Sequence, residues 1–151
     1  MTTRILFVCL GNICRSPSAE AVTRRMAEKR GVNIDIDIDS AGTGAWHVGE
    51  PPYGAMQQAA LARGYDMPSL RARQVNKADF TDFDLIVAMD ADNLANLRHE
   101  QPPGATAELV LFTDHVPQTG ADHVPDPYYT RDFDGALDLI EQCAVAFLDQ
   151  L

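Results

Sequence analysis

Hydrophobic and polar positions fall into short blocks whose period changes along the chain. Arg4-Ile-Leu-Phe-Val-Cys9 is apolar after its first residue, as expected of a strand buried on both faces. Ser16-Pro17 then signals a helix start, with serine as N-cap and proline at the first helical position. Ala19, Val22 and Met26 share one face of that helix, and Gly31 is its expected stop. Ile34, Ile36 and Ile38 alternate with Asp35, Asp37 and Asp39, which predicts a half-exposed edge strand with a solvated acidic face. Residues 41–53 are rich in Gly and Pro and read as a loop, followed by a helix over 54–63. Asp84–Met89 is a second buried strand, residues 90–97 form another helix, and Glu108–Phe112 is a fourth strand. Leu137, Ile140, Ala144, Phe147, Leu148 and Leu151 recur at helical spacing.

Strands alternating with helices predict an α/β fold, a three-layer sandwich with a small parallel sheet between helices. Neither a repeat nor a long linker interrupts the chain, so residues 1–151 are expected to form a single domain. In such folds the ligand sits beyond the carboxyl ends of the strands, where strand order reverses. The first strand ends at Cys9.

Composition narrows the function class. Hydrophobic residues at 46% and charged residues at 23% fit a globular rather than a disordered chain. Twelve Lys and Arg against 22 Asp and Glu leave a net charge of -10, which argues against a nucleic-acid partner. The same charge means that any anion must be captured by local positive groups. The run Ile5–Leu10 is far shorter than the ~18 residues of a membrane span, and no small-residue cleavage site follows it. No membrane insertion is therefore expected. Three cysteines, Cys9, Cys14 and Cys143, suit neither a closed disulfide framework nor a structural zinc site, and they point to the reducing cytoplasm.

Cys9-Leu10-Gly11-Asn12-Ile13-Cys14-Arg15-Ser16 bridges the first strand and the first helix. Backbone N–H groups of such a turn, with the helix dipole behind them, form a concavity that suits a phosphate- or sulfate-like dianion. Gly11 lets the chain turn tightly, and the planar fork of Arg15 can grip two phosphate oxygens. The Cys9 sulfur would face the phosphorus, with Arg15, the amides and the Ser16 hydroxyl favouring the nucleophilic thiolate. Most free cysteines are small buried hydrophobes, and Cys-x5-Arg alone is a weak pattern. What raises it is its place at a strand-loop-helix junction with Gly inside and Ser-Pro after. Cys14 is either packing or the partner of Cys9 in a transient protective disulfide.

Expelling a phenolate needs an acid that later activates water against the phosphocysteine. Asp126-Pro127-Tyr128-Tyr129, before the last helix, offers one, with tyrosines as apolar walls. Asp-Pro is also a common turn dipeptide. Trp46 would ordinarily be core, but its Gly-rich setting points to a cleft. His47, His99, His115 and His123 lack ligand spacing and read as surface residues. Asp90 and Asp92 read as first-turn helix acids, Asp90 standing at a strand end where it can border a site. Cys143 lies mid-helix and reads as packing.

Val8–Pro17 together with Asp126–Tyr129 resembles the low-molecular-weight protein-tyrosine phosphatases. The resemblance runs over essentially the whole chain, through Asp39-Ser-Ala-Gly-Thr43, Gly49-Glu-Pro-Pro52, Ala72-Arg-Gln-Val75 and Ala88-Met-Asp90. It implies a four-stranded parallel sheet flanked by helices and a phosphatase that needs neither metal nor cofactor. It also implies Cys9 as nucleophile, Arg15 as phosphate clamp and Asp126 as general acid and then base. Asn12, Ser16 and Ser40 match positions that hold the loop in shape, and Trp46 and Tyr128 match the walls of a slot for phosphotyrosine-containing proteins. Leu70 stands where several members carry histidine, and Tyr53 and Ala55 replace an acidic and a basic residue of some relatives. An arsenate reductase would need resolving cysteines, and the one distant cysteine, Cys143, is mid-helix. A phosphate-holding binding module would have no use for Asp126.

Overall fold

The computed structural model describes residues 2–151. Its strands β1 (Thr3–Cys9), β2 (Ile36–Gly42), β3 (Leu85–Ala88) and β4 (Glu108–Leu111) form one sheet in the order β2-β1-β3-β4. All three pairings are parallel; Cys9 lies opposite Gly42, and Val8 opposite Ala88. Helices α1 (Arg15–Arg30), α2 (Gly54–Leu61) and α6 (Phe133–Gln150) cover one face of the sheet, and α3 (Asp79–Asp82) and α4 (Ala91–Glu100) cover the other. A single turn, α5 (Pro127–Thr130), leads into α6. The fold is thus the expected α/β sandwich with four parallel strands.

The central position of β1 explains its unbroken apolar run. Ile5, Phe7 and Cys9 join the core beneath α1, α2 and α6, while Leu6 and Val8 join the one beneath α3 and α4. With helices on both faces, neither set of alternate positions meets water. The Phe7 ring packs at 5.2 Å from Phe112 and 6.0 Å from Phe147. From β1 the chain crosses to β2 on one side, then returns past β1 to β3 on the other. The order reverses between β1 and β3, which places the ends of these two strands at the switch point.

Several boundaries differ from the sequence pattern. Ser16 is not the N-cap of α1; Cys14 holds that position without a side-chain cap bond, and Ser16 lies fully buried in the first turn. Gly31 does end the helix, at φ +73°. Ile34 is 80% exposed in a tight turn over Asn33–Asp35, so the strand starts only at Ile36. Ladder pairing with β1, beginning at Thr3, decides that start rather than the alternation. Asp39 is also more than a solvated face, because Arg73 pairs with it at 3.0 Å. Phe112 leaves β4 and opens a helical turn, and α2 stops at Leu61. No helix among the described residues is long and apolar enough to cross a membrane.

Candidate active site

Beyond Cys9 the chain turns through residues 10–14 and enters α1. Carbonyls of this turn face its neighbours: Cys9 O accepts from Thr43 N (2.9 Å), Leu10 O from Gly44 N (2.9 Å) and Ile13 O from Tyr53 N (2.8 Å). The amides of Gly11, Ile13 and Cys14 meet no acceptor among the described residues, and that of Asn12 donates to Cys9 Sγ at 3.3 Å. Uncapped amides at a helix start make a concavity of partial positive charge. Only glycine permits the approach of β2 to this turn, since a Cβ on Gly42 would stand 2.8 Å from Leu10 O.

Asn12 sits in the left-handed region at φ +57°, where asparagine is among the few tolerated side chains. The backbone N–H of Arg73 donates to Asn12 Oδ1 (3.0 Å), which orients the amide. Asn12 Nδ2 then donates to Ser16 Oγ (2.8 Å) and Ser40 Oγ (3.0 Å). Ser16 Oγ lies 3.0 Å from Cys9 Sγ and 3.4 Å from Ala41 O; against a Cys9 thiolate, which has no proton to give, the hydroxyl is the donor. Ser40 donates to Glu20 Oε1 (2.7 Å), and Arg24 donates to Glu20 Oε2 (2.6 Å). Burial pushes the Glu20 carboxyl above the usual range, against the downward pull of Ser40 and Arg24.

Arg15 is 3% exposed. Its NH1 is held by Asp90 Oδ2 (2.6 Å) and Val124 O (3.1 Å), and its NH2 lies 3.4 Å from Asp126 Oδ2. Burial alone would lower its pKa, but Cys9, the Asp90 hydrogen bond and the Asp126 charge outweigh burial and raise it. Its buried Nε has no partner among the described residues. An unmet buried donor costs about 1–3 kcal/mol. Asp90 and Asp126 each also cap a helix, accepting from Asn93 N (2.7 Å) and Tyr128 N (3.1 Å). The two acids thus stand at the ends of different segments with their second oxygens on one guanidinium.

These groups meet in a cleft of about 380 Å³ lined by Cys9, Leu10, Gly11, Ile13, Cys14, Arg15, Trp46, Asp126 and Tyr128. Cys9 and Arg15 are buried at its floor, whereas Trp46 is 74% exposed at its mouth. Asn12, Ser16 and Ser40 lie behind the turn and reach the cleft through hydrogen bonds to its sulfur and to one another. His47, which the sequence suggested was a surface residue, also lines the cleft, bonds Glu50 and stands 6.3 Å from the Tyr128 ring. Tyr129 completes the wall. Glu20 carried no sequence signal for this place, and Arg73 only its position in the matching Ala72–Val75 segment; their contacts join segments far apart in the chain. Burial, followed by Asp126 and Cys9, pushes the Cys14 thiol up to about 12, so Cys14 is a neutral thiol at pH 7. Cys143 is wholly buried, and burial likewise pushes its thiol up to about 12. Among the described residues no three His, Cys, Asp or Glu side chains cluster to hold a metal ion.

Known proteins match this arrangement over nearly the whole chain. The family described as low molecular weight phosphotyrosine protein phosphatase matches residues 4–151. The low molecular weight protein-tyrosine-phosphatase YfkJ of Bacillus subtilis is 44% identical over 137 residues, covering 91% of this chain and 88% of the relative. Its crystal structure superposes with a TM-score of 0.95 at 41% identity, covering 99% of this chain and 94% of that one. A low molecular weight phosphotyrosine protein phosphatase of Schizosaccharomyces pombe is 42% identical over 147 residues, with 97% of this chain and 90% of that one covered. The crystal structure of DARP, a Drosophila arginine phosphatase, matches with a TM-score of 0.91 at 34% identity, covering 97% of this chain and 96% of that one.

Proposed function

This chain belongs to the low molecular weight phosphotyrosine protein phosphatase family, and from that premise we propose that it hydrolyses phosphotyrosine in proteins, and small aryl phosphates, through a phosphocysteine intermediate. The Cys9 thiolate attacks phosphorus while Asp126 gives its proton to the departing phenol oxygen. Asp126, now a carboxylate, takes a proton from water, whose oxygen attacks phosphorus and breaks the S–P bond. Inorganic phosphate leaves and the thiolate returns.

One observation carries this reading: the Cys9 sulfur receives the Ser16 hydroxyl and the Asn12 amide in a cleft it shares with Arg15 and Asp126. Donors to the charged form favour a thiolate. Asp90 and Val124 O hold NH1 of Arg15 and Asp126 Oδ2 takes one hydrogen of NH2, which leaves Nε–H and the second NH2 hydrogen for two phosphate oxygens. The free amides of Gly11, Ile13 and Cys14 supply further donors to the dianion, with Leu10 completing the loop. Ser40 supports the loop through Asn12. Trp46 and Tyr128 flank the aromatic ring, and the depth of the slot favours phosphotyrosine over the shorter phosphoserine. The three free cysteines suit the reducing cytoplasm, with residues 1–151 acting as one domain.

The test is release of phosphate from p-nitrophenyl phosphate and from phosphotyrosine, phosphoserine and phosphoarginine peptides, with chelator, by wild type and Cys9→Ser. Metal-independent release from phosphotyrosine, lost in the variant, is expected. No release by folded, reduced protein would overturn the reading. A preference for phosphoarginine would move the substrate class toward that of the Drosophila relative.

A further inference from the structure

Arg131 directly follows the α5 turn that begins after Asp126, and it takes a left-handed conformation at φ +64° that glycine would adopt without strain. Its guanidinium carbon lies 5.3 Å from the centroids of both the Tyr53 and Phe133 rings. NH1 and NH2 each donate to the Tyr53 hydroxyl at 3.1 Å. Tyr53 in turn meets Tyr128, a wall of the cleft, edge-on at 5.5 Å. Two aromatic faces and a phenol thus hold an arginine beside the cleft mouth. Its charge reaches the phosphate loop, where it pulls against the upward push on Cys14.

Among the described residues that line the cleft, Arg15 is the one arginine or lysine; it pairs with Asp90 and Asp126 at the floor, and His47 bonds Glu50. Arg131 is exposed and forms no salt bridge among the described residues. A guanidinium has five N–H donors, and Tyr53 takes two, so three donors of this exposed side chain remain for a partner. In a chain of net charge -10, a preorganised cation beside the cleft is placed to meet an anionic group of a bound substrate.

We propose that Arg131 is a specificity residue that reads a carboxylate side chain flanking the phosphotyrosine of a substrate. The proposal rests on the phosphotyrosine reading. The phosphate anchors the peptide at the floor, and a neighbouring Asp or Glu crossing the rim meets the outward edge of Arg131. Because the contact is on the rim, it strengthens substrate and transition state alike and appears in KM more than in kcat.

The experiment compares kcat/KM for three phosphotyrosine peptides that differ only in the residues on either side of the phosphotyrosine: Glu, Gln or Lys. Wild type should favour Glu over Gln by about threefold to fivefold, the scale of an exposed ion pair. The preference should shrink toward one in about 1 M salt, where screening acts within roughly 3 Å. Arg131→Gln should bring the Glu-to-Gln ratio to one or below, and Arg131→Glu should turn the preference toward Lys. A residue that merely braces Tyr53 would lower all three peptides together and keep their ratio. Equal rates for the three peptides in wild type, or an unchanged ratio in Arg131→Glu, would overturn the proposal. Absence of turnover on p-nitrophenyl phosphate by wild type would instead overturn the phosphatase reading and this proposal with it.

Discussion

The hydroxyl of Ser16 lies 3.0 Å from the sulfur of Cys9, although seven residues and a complete change of secondary structure separate them. Asn12 Nδ2 donates to that hydroxyl at 2.8 Å, so the one Ser16 proton is left for Ala41 O or, when Cys9 is a thiolate, for sulfur. A residue that the sequence offers as a helix cap is thereby brought against the Cys9 sulfur. Ser16→Ala should therefore slow the attack while leaving the helix intact, since Cys14 already holds the uncapped N-cap position. Loss of one donor to a developing or resident anion costs about tenfold or more in kcat/KM. The melting temperature should hold while turnover falls, and unchanged turnover would show that the hydroxyl only packs.

Asp126 is held as a helix cap with its second oxygen 3.4 Å from Arg15. Asp126→Ala should slow turnover of p-nitrophenyl phosphate by ~10²-fold or more, with a larger loss for esters of more basic phenols. Wild-type rates on a phosphotyrosine peptide would remove the acid from this position.

Cys9 and Cys14 share one loop and one cleft but not one chemistry. Burial, Asp126 and Cys9 hold Cys14 as a thiol at about 12. Cys14→Ala should retain turnover within about tenfold, whereas Cys9→Ser should abolish it. Rapid alkylation by iodoacetamide at neutral pH should fall on Cys9 alone, which peptide mapping would show.

Glu20 lies beneath the loop with burial pushing its carboxyl upward. A carboxyl raised in the folded state binds more protons folded than unfolded between its two titration points, so stability falls as pH rises through that window. Glu20→Gln removes this term. The melting temperature of the variant relative to wild type should rise as pH climbs above the ordinary glutamate value of about 4.3. A flat difference across that range would mean that Glu20 titrates alike in both states.

Gly44 leaves room for the indole of Trp46: a Cβ there would fall 2.0 Å from Trp46 Cζ3. Trp46 is largely exposed, so Gly44→Ala should displace the ring at little cost in stability. KM for phosphotyrosine peptides should rise several-fold, and fluorescence of the chain's single tryptophan should report the displaced ring. Unchanged KM with a displaced ring would take Trp46 out of substrate contact.

The alternation of strands and helices, the double burial of β1 and the place of Cys9 at its end were legible in the sequence. Each rests on local periodicity and turn chemistry that neighbouring residues impose on one another. Gly31 ended its helix as read, because a left-handed stop is a property of the glycine itself. Cys9, Arg15 and Asp126 could be singled out because their residue types, beside a helix start or an Asp-Pro turn, suggest chemistry directly.

Tertiary structure alone decided the rest. Ser16 looked like a cap because serine before proline usually is one; packing instead buries it against the Cys9 sulfur, with Asn12, held by the backbone of Arg73, on its other side. His47 showed no ligand pattern and entered the cleft because the 43–53 loop hydrogen-bonds to the turn after β1 at residues 9, 10 and 13. Glu20, Asp90 and Arg131 acquired their places from contacts spanning 20 to 78 residues. A sequence determines what each short segment prefers, since propensity and burial pattern act over a few residues. Which distant side chains share a proton or a charge depends on where whole elements come to rest, and that is settled only by packing them around a common core.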